Sequence, residues 1–147
     1  MIRWLAAILA VGLLLSACGS QSLSTAMKSW VSESSYLTNN DQLITDAQHS
    51  VNALRTKDES NRELHLVCAV MYVESDEAGA ALPTPDTLAT KLLGEAYIKL
   101  NAGANECYDA GTDPSKRAIA ISDLAEGVGQ LDEASARIKS DTSTTPG

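Results

Sequence analysis

Large apolar side chains recur along this chain at intervals of three, four or seven residues, the spacing of helix faces rather than of half-buried strands. From Leu23 one stripe runs through Met27, Trp30, Leu37, Ile44, Ala47, Val51 and Leu54, with polar Ser34 and Asp41 in the same phase. Asn39-Asn40-Asp41 could stop one helix and cap another, but the unbroken phase favours a single long helix, kinked there if anywhere. Ser60-Asn61-Arg62-Glu63 fits a capping box and starts a second helix at Ser60. Leu64, Val67, Cys68 and Met71 line its buried face, Leu66, Val70 and Val73 widen that face, and Gly79 loosens its end. Leu82-Pro83-Thr84-Pro85 breaks the pattern; Thr84 as N-cap with Pro85 in the first turn opens a third helix. That helix turns Leu88, Leu92, Leu93, Ala96, Tyr97, Leu100, Ala104 and Cys107 inward and ends at Gly111. Asp113-Pro114 repeats the cap-plus-proline device, and Ile121, Leu124, Val128, Leu131 and Ile138 form a heptad seam in which Ser135 is the polar interruption. Residues 140–147 carry no large apolar side chain and are expected to be a disordered tail. The expectation is an all-α, up-down-up-down four-helix bundle over residues 23–139, because short connections favour antiparallel neighbours.

The first residues follow another rule. Met1-Ile2-Arg3 is a short basic start, and the apolar run from Trp4 to Leu15 is too short to span a bilayer, the build of a secretion signal. The Leu15-Ser16-Ala17-Cys18 stretch closely resembles the lipobox of bacterial lipoproteins. That resemblance implies a signal peptide over residues 1–17 and a Cys18 thiol converted to a diacylglyceryl thioether. It also implies a location on the outer face of a bacterial cell membrane, held there by lipid. An unmodified secretion signal and an uncleaved anchor are the alternatives. Gly19 to Ser22 would then be a tether reaching at most about 14 Å.

Cleavage before Cys18 leaves 130 residues, enough for one domain with a real core and too few for two. The formal charge of −8 becomes −9 when Arg3 leaves, which disfavours nucleic acid and anionic headgroups as partners. Phe is absent and Trp30 is the one Trp beyond the signal, so the core rests on Ala, Leu, Val and Ile, as in Ala/Leu-packed helices. With Cys18 carrying lipid, Cys68 and Cys107 remain as an even pair, expected to form a disulfide outside the reducing cytosol; two buried free thiols are the alternative. A bond between them would require the third helix to start roughly 16 Å higher than the second one ends, at 1.5 Å per residue. The segment from Gly79 to Thr84 should therefore be an extended, rising strap.

The part after the signal is also similar to small exported actinobacterial proteins without an established activity. The similarity lies in Leu66-Val67-Cys68, Leu82-Pro83-Thr84-Pro85-Asp86, Asn105-Glu106-Cys107 and the amphipathic run from Leu124 to Ile138. It implies the helical fold and the disulfide and no reaction.

Candidate chemistry is sparse. His65 and Cys68, three apart on a helix, have a spacing that seats two metal ligands, but a structural zinc needs four and His49 lies off its helix's stripe. Glu74, Asp76 and Glu77, with Asp86 further on, form an acidic run without the glycine and alternation of a calcium loop, and read as a solvated face. Ala102-Gly103-Ala104 and Gly127-Val128-Gly129 lack the strand and Lys-Ser/Thr of a phosphate loop. Gly127 and Gly129 inside a helix imply either close packing against a bulky neighbour such as Trp30 or Tyr97, or a notch. Trp30 reads as a core or inter-helix anchor rather than a ligand platform. No metal, cofactor or catalytic residue is expected. The functional expectation is a lipid-anchored, non-catalytic interaction module presenting an acidic helical surface to another envelope protein. The alternative is a carrier of a small apolar ligand between the helices, using the Gly127/Gly129 notch and the flexible Met27 and Met71.

Overall fold

The computed structural model describes residues 21–56 and 61–144, and these form five helices without a strand among the described residues: α1 (Leu23–Glu33), α2 (Tyr36–Arg55), α3 (Asn61–Gly79), α4 (Thr87–Ala110) and α5 (Pro114–Ser143). Cys18, the signal region before it and the capping Ser60 lie outside the described residues.

Five helices stand where four were expected, because the first long helix is interrupted. The interruption falls at Ser34–Ser35, upstream of Asn39-Asn40, where Ser35 takes a left-handed φ of 54°. Ser34 N and Ser34 Oγ both donate to Trp30 O, at 2.9 and 2.6 Å, which ends α1, and Asn39 Nδ2 donates to Ser34 O at 3.1 Å, so a side chain takes the carbonyl at the break. The reorientation shifts the buried phase of α2 by one residue. Tyr36, Asn40, Leu43, Ala47, Ser50 and Leu54 face inward, while Leu37, expected in the core, is 65% exposed.

With that correction the inward faces of four helices obey one rule. In α2 they fall at 36, 40, 43, 47, 50 and 54, and in α3 at 64, 68, 71 and 75. In α4 the series is 89, 93, 96, 100, 103, 107 and 110, and in α5 it is 120, 124, 127, 131, 134, 138 and 141. Alternating steps of four and three are the heptad pattern of left-handed helix packing. The last series carries α5 beyond the expected end at Lys139: Asp141 is buried, so residues 140–143 belong to the helix and not to a disordered tail. Leu88, expected inward, is outside this series and exposed.

Neighbouring helices run antiparallel, as paired residues show: Ser50 with Val67, Cys68 with Cys107, Lys99 with Asp123, and Tyr36 with Ser135. The last pair explains the polar interruption of the α5 seam, since the Tyr36 hydroxyl and Ser135 Oγ are hydrogen-bonded at 2.8 Å. Arg117 closes the opposite end of the bundle by donating to Gly111 O, Leu54 O and Thr56 O, which caps the C-termini of α2 and α4 at once.

Cys68 and Cys107 are joined, with Cα atoms 5.7 Å apart. The stagger this requires is present, but the strap differs from the expected extended run. Ala80, Ala81 and Leu82 donate to Glu77 O, Ala78 O and Gly79 O, so the chain climbs first as a tight turn. Leu82 arrives beside Gly94, seven residues inside α4, and only Pro83 to Asp86 complete the rise. Trp30 Nε1 donates to Ala81 O at 2.9 Å and pins this strap to α1, the anchoring role expected of it. The N-cap of α4 is Asp86 rather than Thr84: Asp86 Oδ1 accepts from Ala89 N at 2.6 Å, and Thr84 Oγ1 holds Asp86 by donating to its carbonyl. The expected cap of α5 stands, Asp113 accepting from Ser115 N and Lys116 N with Pro114 in the first turn.

The tightest packing lies between α4 and α5. A Cβ added at Gly127 would sit 2.7 Å from Leu100 Cγ, and one added at Gly103 would sit 2.9 Å from Leu124 N. Gly127 thus receives Leu100 and Gly103 receives Leu124, a reciprocal fit; the bulky neighbour at Gly127 is not Trp30 or Tyr97. Gly129 meets nothing within 4 Å. Gly103→Ala and Gly127→Ala should each lower the unfolding free energy by about 1–3 kcal/mol despite alanine's better helix propensity. Gly129→Ala should raise it by up to about 1 kcal/mol. Urea unfolding followed by circular dichroism orders the three, and a Gly129 variant less stable than the Gly127 variant would contradict this packing.

Candidate functional site

Helix α3 is apolar on two opposite faces. Its inner face, Leu64, Cys68 and Met71, is fully buried, and Ser75 extends it by donating to Tyr72 O. Half a turn away stand Leu66, Val70 and Val73, which are 64%, 39% and 50% exposed. These three were expected to widen the buried face, and the structure corrects that: they form a second stripe, with its own steps of four and three, that no other described element covers. The bundle explains the split, because α2 and α4 flank α3 and no other described helix packs behind it. Arg62 stands one turn before the stripe and Glu77 one turn after it, both exposed.

On the α4 side of the stripe, Tyr108 is 47% exposed and stacks on His65, ring centroids 4.4 Å apart and 20° from parallel. Arg62, Leu66, Ala69 and these two rings line a hollow that widens the apolar surface beyond α3. His65 is therefore an aromatic surface partner, and Cys68, its candidate co-ligand, is consumed by the disulfide. Among the described residues no group of three or more His, Cys, Asp or Glu is placed to hold a metal ion.

On the α2 side lies a groove of about 330 Å³ lined by Asn39, Gln42, Leu43, Glu74, Glu77 and Ala78. The acidic run is divided by helix geometry. Asp76 turns toward α4, Glu77 stands exposed at the rim of the α2 groove, and Glu74 turns into it against Asp46. Asp46 is already engaged, accepting from Gln42 Nε2 at 2.5 Å with His49 Nδ1 at 3.6 Å. Burial raises the Glu74 pKa to about 7, helped by the hydrogen bond to Asp46 and the charges of Asp46 and Glu77. Below about pH 7 the proton kept on Glu74 serves this hydrogen bond to Asp46, while Glu74 Oε2 is buried with no hydrogen-bond partner.

Asp86, grouped with the acidic run on sequence, does a different job. Arg137 Nη2 donates to Asp86 Oδ2 at 2.8 Å, a contact that, with the Ala89 N–H, holds the carboxyl below its ordinary pKa. Arg137 Nε also lies 3.4 Å from Asp141 Oδ2, where burial outweighs the cation and raises the pKa. This clamp ties the start of α4 to the end of α5. It went unread because a contact between residues 51 apart leaves no local pattern.

Of the residues expected to serve a ligand carrier, Gly129 meets nothing within 4 Å while the others are packed. Leu100 occupies the space at Gly127, and Met27 and Met71 are fully buried in the core. No described helix is long and apolar enough to cross a membrane. Compared with known proteins, the chain matches no family model, no curated protein and no solved structure.

The Glu74 proton has a measurable sign. Between the ordinary glutamate value of 4.5 and about 7, the folded protein keeps a Glu74 proton that the unfolded chain has released. Stability from this group is therefore full below pH 4.5 and falls as pH rises through that window. Glu74→Gln should remove this part of the slope. Glu74 is partly exposed, so the difference between parent and variant should reach only about 1 kcal/mol. Urea midpoints measured across the window check it, and identical slopes in the two proteins would reject the Glu74 proton.

Proposed function

We propose that this chain is a lipid-anchored protein of the outer face of a bacterial cell membrane, whose helical domain is a non-catalytic interaction module. The outward stripe of α3 carries this reading. Leu66, Val70 and Val73 form a contiguous apolar strip at helix spacing on a well-packed domain, with Tyr108 beside it, and such strips mark docking surfaces. The partner surface that fits is an amphipathic helix, laid along α3 with apolar residues every three or four positions. The acidic groups expected to present the surface serve instead as its margin, with Glu77 at one end and the Asp46–Glu74 pair along one side.

In architecture we read an up-down-up-down four-helix bundle whose first limb is divided into α1 and α2. The lipobox resemblance at Leu15-Ser16-Ala17-Cys18 supports the anchor, with signal residues 1–17 removed and the Cys18 lipid holding α1 close to the membrane.

Two measurements test the two halves of this reading. Cys18→Ala should move the protein from the membrane fraction to the soluble or secreted fraction, because two acyl chains bind almost irreversibly at about 0.8 kcal/mol per methylene. A variant that stays with membrane after a high-salt wash would remove the anchor. A photo-reactive amino acid at Val73, in intact cells, should give a discrete cross-linked product. The same probe at the exposed Glu133 of α5 should give none. Equal labelling from both positions, or none from Val73, would remove the docking role.

A further inference from the structure

The α3 stripe is self-complementary. Reading Arg62, Leu66, Ala69 with Val70, Val73 and Glu77 in either direction gives the same ladder of steps, four, then three or four, then four or three, then four, about a centre between Ala69 and Val70. The two ends carry opposite charge. A second α3 laid antiparallel on the first would place Leu66 against Val73 of the other copy, Val70 beside its own equivalent, and Arg62 by the other copy's Glu77. That is the isologous contact of a twofold axis, in which one patch serves both subunits.

Resting on the reading of this stripe as a docking surface, we infer that its occupant is a second copy of the same chain, with α3 paired antiparallel across a twofold axis. Three observations favour this over an unrelated partner. The charges at the ends suit the reversed helix: Arg62 makes no ion pair among the described residues, and Glu77 stands at the opposite end beside Asp76. The centre is the least bulky part, Ala69 and Val70, which allows the two axes to approach as closely as packed helices do, about 8–10 Å. The acidic groups Glu74 and Asp76 lie on opposite sides of the stripe, facing the α2 groove and the α4 groove, so neither is forced against its own copy at the seam.

Charge also limits the contact. A chain of net −8 repels its copy at long range, and Glu63 flanks the same end as Arg62. The pair is therefore a reversible association favoured when chains are concentrated, as on a membrane, and sensitive to the sign of residue 62.

Cysteine cross-linking of the full chain in intact cells tests the register. The fold's own cysteines are paired inside, and position 70 points away from them. Across the twofold axis two residues at position 70 are offset by only about 1.5 Å along the helices, within the range a disulfide bridges, whereas two at position 66 are offset by about 10 Å. Val70→Cys should therefore form a covalent dimer under mild oxidation. Leu66→Cys alone and Val73→Cys alone should form little, and those two variants expressed together should link to each other. Adding Arg62→Glu to Val70→Cys should cut the dimer about tenfold by placing acids against the other copy's Glu77, and adding Glu77→Arg as well should restore it.

Equal dimer yields from positions 66 and 70, or no effect of Arg62→Glu, would overturn the pairing. Linkage of Val70→Cys to a different protein in place of its own copy would overturn self-association while leaving the stripe a docking surface. No product from any stripe position would remove both.

Discussion

The close approach of α4 and α5 is the constraint on which the rest of the bundle depends. Leu100 sits on Gly127 and Leu124 sits on Gly103, so at each contact a leucine of one helix rests on a backbone that carries no Cβ. This fixes both the separation and the register of the longest helices, and it buries two leucines that would otherwise need a wider core. The Arg137–Asp86 clamp locks the same register at one end, where Asp86 also caps α4. Arg117 locks it at the other, by accepting the task of capping two helix C-termini. Everything else packs on this pair: α3 against α4 through the disulfide, and α1 and α2 against α5 through Ser24, Tyr36 and Arg117.

Because α3 is held covalently, its exposed side is released from duty in the core. In the chain-entropy model a closed loop with a sequence separation of 39 contributes about 4 kcal/mol, comparable to burying two large aliphatic side chains. A helix tied this way stays in place with an inner face of Leu64, Cys68, Met71 and Ser75 only. Its remaining apolar residues are then free to serve contact with something outside the fold.

Most of the helical content was legible because apolar spacing and caps are local signals. Asp113-Pro114, Gly111 and the cysteine pair were each read from residues within a turn of their effect or from simple counting. Errors arose where one residue changed the phase. A left-handed Ser35 moves the core of α2 from Leu37 to Tyr36, and no β-branched or proline signal marks it, because serine is compatible with either course. Asp141 is likewise indistinguishable on sequence from a tail residue, since its burial depends on Arg137 one turn earlier. The candidate site was hidden for a different reason. On α3 a pattern of apolar residues round most of the helix reads as a wide core face, and only the placement of neighbours shows that half of it has no described helix behind it.

The charges of α3 point the same way as its stripe. An acidic group stabilises the positive N-terminal end of a helix and a basic one the negative C-terminal end, each by about 0.3–1 kcal/mol when exposed. α3 has no basic residue in its last turn, and carries Glu74, Asp76 and Glu77 toward that end, with Arg62 near its start. Arg62 and the acidic end thus oppose the helix dipole, and Glu74 adds the cost of a carboxyl group driven against Asp46. Glu63, in the first turn, is the acid placed in accord with the dipole. An antiparallel neighbour with the same sequence reverses the sign of the balance, since each unfavourable end then lies beside the other copy's opposite charge and opposite dipole. The charge pattern of α3 and its uncovered apolar stripe therefore both suit the proposed partner, a helix lying along it in the reverse direction.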